Sequence, residues 1–176
     1  MMPRTPIPTS AHADRRGMTL VELLMALSIV SLLAASVGSA VKGSLQGYAD
    51  NTNYADLAQA ARAAANKILG EIRLADDVTS STGQLRIYSN AAKTNGTIYQ
   101  LVEGTLQYNG LAGGVVGSAE PLIGSDGQIT VTGFTITRAE NAVPKTVSVS
   151  VHLTLTGGGQ TYQSTFAATV RKNQTF

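Results

Sequence analysis

The chain has 176 residues, a formal net charge of +2 and no cysteine. The positive balance lies at the N-terminus, because the first 17 residues hold three Arg and one Asp, whereas the remainder holds equal numbers of basic and acidic side chains. A neutral remainder argues against the basic surface of a nucleic-acid-binding domain. Without cysteine, an exported domain depends on its core and its sheet hydrogen bonds and has no disulfides.

Residues 1–17 form a polar leader that contains three prolines and ends with Arg15, Arg16 and Gly17. An apolar stretch follows, and from Leu23 to Val41 no residue is charged. About 20 apolar residues span the hydrocarbon of a bilayer. We therefore expect residues 18–42 to form a transmembrane helix. Glu22 at its edge is unusual, because a carboxylate inside a membrane is costly and tends to be functional.

The stretch from Arg15 to Glu22 reads RRGMTLVE and resembles the processing site of type IV prepilins and pseudopilins. The resemblance covers roughly residues 12–45. It implies cleavage by a prepilin peptidase between Gly17 and Met18, removal of the leader 1–17 and N-methylation of Met18. It also places Glu22 where the family keeps its glutamate. The family more often has Phe where Met18 stands.

The resemblance also implies the partners and the location of the chain. The partners are the prepilin peptidase, other pilin or pseudopilin subunits and an inner-membrane assembly platform. Basic residues near the membrane set topology, and Arg15 and Arg16 precede the apolar segment, whereas only Lys42 follows it closely. We expect a single pass through the inner membrane, with the N-terminus in the cytoplasm and the C-terminal domain outside, before entry into a pilus or pseudopilus.

Glu22 is expected to act in assembly. Cleavage after Gly17 creates an ammonium group on Met18, about 6 Å of helix rise from Glu22. Each charge is better placed against the opposite charge of a neighbouring chain. We therefore expect Glu22 to pair with the Met18 amine of the adjacent subunit and to set the axial register of a filament.

Two other interpretations of the N-terminus remain open. One is an ordinary secretory signal peptide, because Gly38, Ser39 and Ala40 are small residues of the type found at signal peptidase sites. The other is a plain N-terminal membrane anchor. The three interpretations predict mature chains that start at Met18, Val41 and Met1, respectively.

A second helical pattern runs from about Tyr54 to Ala75. Apolar residues recur there at spacings of three or four, which is typical of a helix with one face on a sheet. We assign residues 43–78 to an amphipathic continuation of the first helix. The polar stretch Asp50–Asn53 leaves open whether the two helical segments are continuous.

Residues 79–176 are predicted to form an exported β-sheet domain. Alternating apolar residues predict strands on both sides of Asn95-Gly96, a turn signal, and again on both sides of Gly157–Gly159. A short strand is predicted at Thr105–Tyr108 and a loop at Gly110–Gly127. A change of phase at Gly133 indicates a bulge. The expected fold class is α+β and pilin-like, with a long N-terminal helix packed on a C-terminal antiparallel sheet.

No set of residues in the chain favours an enzyme, and no cofactor is expected. His152 falls opposite an apolar strand face, which predicts a solvent-facing side chain. Asp126 and the Asp76-Asp77 pair leave calcium binding open as an alternative, although their spacing fits no EF-hand loop. A turn is favoured for Asp126, and a helix end or turn cap for Asp76-Asp77.

The sequence thus predicts a structural subunit of a type IV pilus or type II secretion pseudopilus, as a minor pilin or minor pseudopilin. Two alternatives remain. One is a competence or adhesive minor pilin that binds DNA or a surface, although the neutral mature chain makes nucleic acid an unfavourable partner. The other is a simple N-terminally anchored exported protein.

Overall fold

The computed structural model describes residues 17–142 and 145–170. The expected topology-setting residues Arg15 and Arg16, like the rest of the leader before Gly17, lie outside the described residues. The chain divides into two compact units, Met1–Leu45 and Gln46–Phe176. From Leu20 onward the described residues of the first unit form the N-terminal part of one helix, and the described strands lie in the second unit.

Helix α1 comprises 55 residues, Leu20–Leu74, and continues through the polar stretch Asp50–Asn53. The hydroxyl of one polar residue there is satisfied within the helix, since Thr52 donates to the carbonyl oxygen of Tyr48 at 3.0 Å. Further along, a stripe of α1 is buried at the three- and four-residue spacing expected of one helix face. Its members are Leu57, Ala58, Ala61, Ala64, Ala65, Ile68 and Ile72.

Eight antiparallel strands follow the helix and form two sheets. The first sheet has the order β1-β2-β3-β4-β5 and the second the order β6-β7-β8, so that each strand pairs with its neighbour in sequence. The strands are β1 Asp77–Ser81, β2 Gln84–Tyr88, β3 Gly96–Val102, β4 Thr105–Ala112, β5 Val115–Ile123, β6 Thr130–Ala142, β7 Lys145–Gly157 and β8 Gln160–Thr169.

The core of the second unit lies between the buried stripe of α1 and the inner faces of the two sheets. The first sheet contributes Leu85, Tyr99 and Leu106 to this core, and the second sheet contributes every second residue from Val149 to Leu155. All of these side chains are essentially inaccessible to solvent. The α+β, pilin-like fold class is therefore confirmed, with antiparallel sheets packed against the long helix.

Contacts at the β7–β8 turn join the hairpin to the helix. The Asn53 side-chain amide donates to the carbonyl oxygen of Gly158 at 3.4 Å. One residue further, the Tyr54 ring meets the ring of Tyr162 edge-on, with centroids 5.3 Å apart. An edge-to-face arrangement at this separation is favourable for aromatic rings. These contacts hold the turn end of the hairpin on α1.

Several local predictions are confirmed. The register shifts between Val131 and Gly133 in the β6–β7 pairing, which is the predicted bulge. The hairpin of β7 and β8 forms with its turn at Gly158 and Gly159, both at positive φ. Strands β2 and β3 also pair as a hairpin, although residues 89–95 form a longer connection than the Asn95-Gly96 signal suggested.

Two local predictions were wrong. The predicted loop Gly110–Gly127 contains the end of β4 and all of β5. Because β5 has exposed side chains on both faces for most of its length, its sequence shows no alternation. Asp77 neither ends the helix nor caps a turn, since α1 ends at Leu74 and Asp77 is the first residue of β1. The carbonyl oxygen of Tyr88 accepts from the Asp76 N–H at 2.8 Å and brings β1 onto β2.

Candidate functional site: the N-terminal segment and its helix

The Gly17–Met18 peptide bond lies in irregular, exposed backbone. Gly17, Met18 and Thr19 precede the first helical residue, Leu20, and all of them are exposed. Within the described residues, no side chain or backbone outside its immediate neighbours lies within 4 Å of the position that a Cβ on Gly17 would take. The bond is therefore exposed and lies outside the helix.

Glu22 and Thr19 form a reciprocal cap on the N-terminus of α1. The backbone N–H and the hydroxyl of Thr19 donate to Glu22 Oε2 at 2.9 and 3.0 Å. In return, the Glu22 N–H lies 3.3 Å from Thr19 Oγ1 and donates to it. This is a capping box, in which residues three apart satisfy N–H groups that the first helical turn leaves without partners.

The sequence contains the signal for this cap, which was not among the features predicted from it. Thr19-x-x-Glu22 directly before an apolar run has the spacing of a capping box. Besides the cap, the helix dipole favours Glu22 at this position, because an acidic side chain in the first turn lies at the positive end of the dipole. A cap in the free chain and a charge pair between chains are compatible, since an ionised carboxylate accepts several hydrogen bonds.

The N-terminal part of α1 is apolar and exposed. Its large hydrophobic side chains from Leu20 to Val41 are each more than half accessible to solvent. The most apolar window of the helix has a mean hydropathy of 2.3 with none of its residues buried, and α1 is the single candidate membrane span among the described residues. Such a surface is unfavourable in water and favourable in lipid or against other helices.

The polar groups within this apolar segment are satisfied by the helix itself. The hydroxyls of Ser28 and Ser36 donate to the carbonyl oxygens four residues earlier, and those of Ser31 and Ser39 to the carbonyls three residues earlier, each at 2.8 Å. Donation to the preceding turn is the usual way in which serine is accommodated in an apolar helix. The four serines therefore leave the segment compatible with a bilayer.

In the second unit the predicted carboxylates make structural contacts. The Asp126 carboxylate accepts from the Gln128 N–H at 3.1 Å, a turn-type contact. Asp77 lies 2.6 Å from the Lys93 ammonium and 3.8 Å from the Arg138 guanidinium. Partial burial would raise the pKa of Asp77, but the hydrogen bonds from Lys93 and the Val78 N–H and the two positive charges together hold it below its usual range.

Arg138 joins the two sheets through this cluster. Its Nε donates to the carbonyl oxygen of Val78 in β1 at 2.8 Å, while its terminal nitrogen lies 2.8 Å from Glu140 in its own strand β6. The His152 ring contacts the Thr165 hydroxyl at 2.8 Å on the outer face of the second sheet. Within residues 17–142 and 145–170, no group of three or more His, Asp or Glu side chains is placed to hold a metal ion.

Comparison with known proteins bears on the N-terminal segment. The family model described as the prokaryotic N-terminal methylation motif matches residues 12–38. The chain carries a prepilin-type N-terminal methylation motif. The resemblance inferred from the Arg15–Glu22 stretch is thereby confirmed, and the motif supports the type IV pilin and pseudopilin family. No curated protein and no solved structure matches the chain.

The matched motif bears on the class of protein. It points to a pilin-like subunit, which is a structural and not an enzymatic role. The exposed apolar helix that begins within the motif fits membrane anchoring. The family implies processing by a prepilin peptidase and assembly with other pilins.

Proposed function

We propose that this chain is a minor subunit of a type IV pilus or a type II secretion pseudopilus. A prepilin peptidase cuts between Gly17 and Met18 on the cytoplasmic side, and Met18 becomes the N-methylated first residue. Arg15 and Arg16 hold the leader in the cytoplasm until the cut is made. The observation that carries the proposal is the methylation motif at residues 12–38, which includes the start of an apolar helix with no buried side chain in its most apolar window.

Residues 18–42 then hold the subunit in the inner membrane and later pack against other subunits in the filament. The rest of the chain, residues 43–176, stays outside the membrane; it contains the remainder of α1 and the strands from β1 onward. The buried stripe of α1 from Leu57 to Ile72 supports this assignment, because that part of the helix is already covered by the sheets. The exposed part from Leu20 to Val41 has its apolar surface still available.

The experiment that tests processing is N-terminal sequencing and mass spectrometry of the chain recovered from membranes that contain a prepilin peptidase. The expected mature chain starts at Met18 and carries one methyl group on its amine. A chain that starts at Val41 would identify an ordinary signal peptide, and one that starts at Met1 a plain anchor. Either result would overturn the proposal.

Glu22 has the assembly role in this proposal, and two substitutions separate its charge from its capping role. Gln at position 22 retains an oxygen that can accept from Thr19, because a capping box tolerates Glu or Gln. Ala at position 22 removes both the cap and the charge. If the carboxylate pairs with the Met18 amine of a neighbouring subunit, Glu22→Gln assembles as poorly as Glu22→Ala while both are still cleaved. Wild-type assembly of Glu22→Gln would refute the charge pair and leave only the cap.

A further inference from the structure

The helix carries an exposed tyrosine a short distance beyond its apolar run. The first charged residue after Glu22 is Lys42, and Tyr48 follows it six residues later. Tyr48 is 74% accessible to solvent, and no hydrogen bond or ring contact of its side chain is found among the described residues. The next tyrosine, Tyr54, already has a partner in Tyr162. Tyr48 is thus an aromatic side chain without a protein partner in the described part of the chain.

The spacing along the helix matches the dimensions of a bilayer. The uncharged run from Leu23 to Val41 rises about 28 Å at 1.5 Å per residue, close to the hydrocarbon thickness of about 30 Å. Tyr48 is seven residues further, about 10 Å of rise. Helical side chains lean toward the helix N-terminus, so the Tyr48 ring extends back toward the apolar run. Its ring then falls at the depth of the polar headgroups.

The residues between the apolar run and Tyr48 agree with an interfacial position. Leu45 is exposed and apolar, and Gly43, Ser44 and Gly47 are small. Tyr is enriched at membrane–water interfaces, where the ring contacts acyl chains and the hydroxyl contacts headgroups. Lys42 can keep its ammonium among lipid phosphates while its aliphatic stem lies along apolar surface.

We propose that the helix segment from Lys42 to Tyr48 binds the headgroup layer of the outer leaflet, with the Tyr48 ring lying within that layer and fixing the depth of the subunit before assembly. The proposal rests on the proposed membrane function and adds a defined lipid contact to it. The occupant is a lipid surface, because the segment continues the apolar membrane span directly and lacks the acidic groups that would oppose phosphates until Asp50.

The chain offers a clean test because it contains no tryptophan. The full chain is placed in phosphatidylcholine vesicles whose acyl chains carry bromine either close to the headgroup or close to the chain end. Three single-tryptophan variants are compared by fluorescence quenching: Tyr48→Trp as the test, Leu33→Trp within the apolar run and Gln59→Trp on an exposed part of the helix beyond it. Bromine quenches tryptophan only at short range, so the pattern reports depth.

The fluorescence of Tyr48→Trp should be quenched more by bromine close to the headgroup than by bromine close to the chain end. Its emission maximum should also lie at a shorter wavelength than that of Gln59→Trp. Leu33→Trp should show the reverse preference, and Gln59→Trp no quenching. Tyr48→Trp that is unquenched, or quenched most by deep bromine, overturns the interfacial assignment. Unquenched emission with a blue shift would identify a protein contact in its place. Loss of quenching in Leu33→Trp overturns the membrane span itself, so the two failures are distinguishable.

Tryptophan also favours interfaces, so a second reporter keeps native Tyr48 in place. The chain has no cysteine, and Ser44→Cys therefore accepts a single thiol-linked fluorophore one turn before Tyr48. The same two brominated lipids should quench this label with the same shallow preference. A label at position 44 that is unquenched in vesicles would overturn the proposal.

Discussion

The β7–β8 turn gives a sharp test of how the hairpin is held on α1. Gly158 has φ +56° and Gly159 has φ +77°. A non-glycine residue in this left-handed region costs about 1–2 kcal/mol. A Cβ on Gly158 would also collide with the side-chain amide of Asn53, whereas a Cβ on Gly159 would meet nothing within 4 Å in the described structure. Gly159→Ala is thus the matched control for Gly158→Ala.

The size of the difference follows from what Asn53 loses. To admit the new methyl group, its amide has to leave the carbonyl oxygen of Gly158, where it makes a long hydrogen bond of 3.4 Å. A net hydrogen bond contributes about 0.5–1.5 kcal/mol. We therefore expect Gly159→Ala to lower the free energy of unfolding by about 1–2 kcal/mol. Gly158→Ala should lower it by about 0.5–1.5 kcal/mol more.

The assay is equilibrium unfolding of the full chain in detergent micelles, followed by the near-ultraviolet circular dichroism of its tyrosines. Asn53→Ala completes a double-mutant cycle. Once the amide is absent, Gly158→Ala should cost no more than Gly159→Ala. An equal cost of Gly158→Ala with and without the Asn53 amide would refute the collision, and with it the assigned contact between helix and turn.

Two further changes test the polar groups of the second unit by the same unfolding assay. The pKa of Asp77 is lower in the folded chain than its ordinary value of 3.8, so the ionised carboxylate stabilises the fold above that value and this stabilisation is lost as pH falls through the lower folded-state pKa. Asp77→Asn should therefore flatten the acid side of the plot of unfolding free energy against pH. An unchanged plot would contradict the assigned ion pairs. Burial and the neighbouring Glu71 carboxylate raise the pKa of Tyr99, and neither the Tyr99 hydroxyl nor Glu71 Oε2 makes a hydrogen bond of good geometry with a described atom. Tyr99→Phe should therefore change the free energy of unfolding by less than about 1 kcal/mol. Tyr108→Phe is the control, because its hydroxyl donates to Glu120 and its loss should destabilise.

The sequence predicted best those parts of the fold in which one face is buried and the other exposed. Strand β7 alternates from Val147 to Leu155, and its pairing with β8 formed as predicted. The spacing of apolar residues from Leu57 to Ile72 likewise predicted which half of the helix packs against the sheets. In both elements, burial on one side imposes a period on the sequence, and that period can be read without the structure.

The parts that were missed lack such a period or depend on distant residues. Strand β5 is an edge strand with both faces exposed along Val115–Pro121, so it is held by its pairing with β4 and not by a buried face. The partners of Asp77 lie far away in sequence at Lys93 and Arg138. The pairing of β1 with β2 brings Lys93 close, and the packing of β1 beside β6 brings Arg138 close. Local patterns carry no record of such contacts.

The capping box changes how the N-terminal motif is understood physically. Cleavage after Gly17 would place an ammonium group beside the positive end of a helix dipole, an unfavourable position. The Thr19–Glu22 cap already holds a carboxylate in that first turn, through Oε2 and before any partner arrives. In the proposed subunit the cap therefore fixes where the negative charge is presented, and the new amine of a neighbour supplies the opposite charge. Thr19 is then a positioning residue for Glu22, and the spacing of three between them is as much part of the motif as the glutamate.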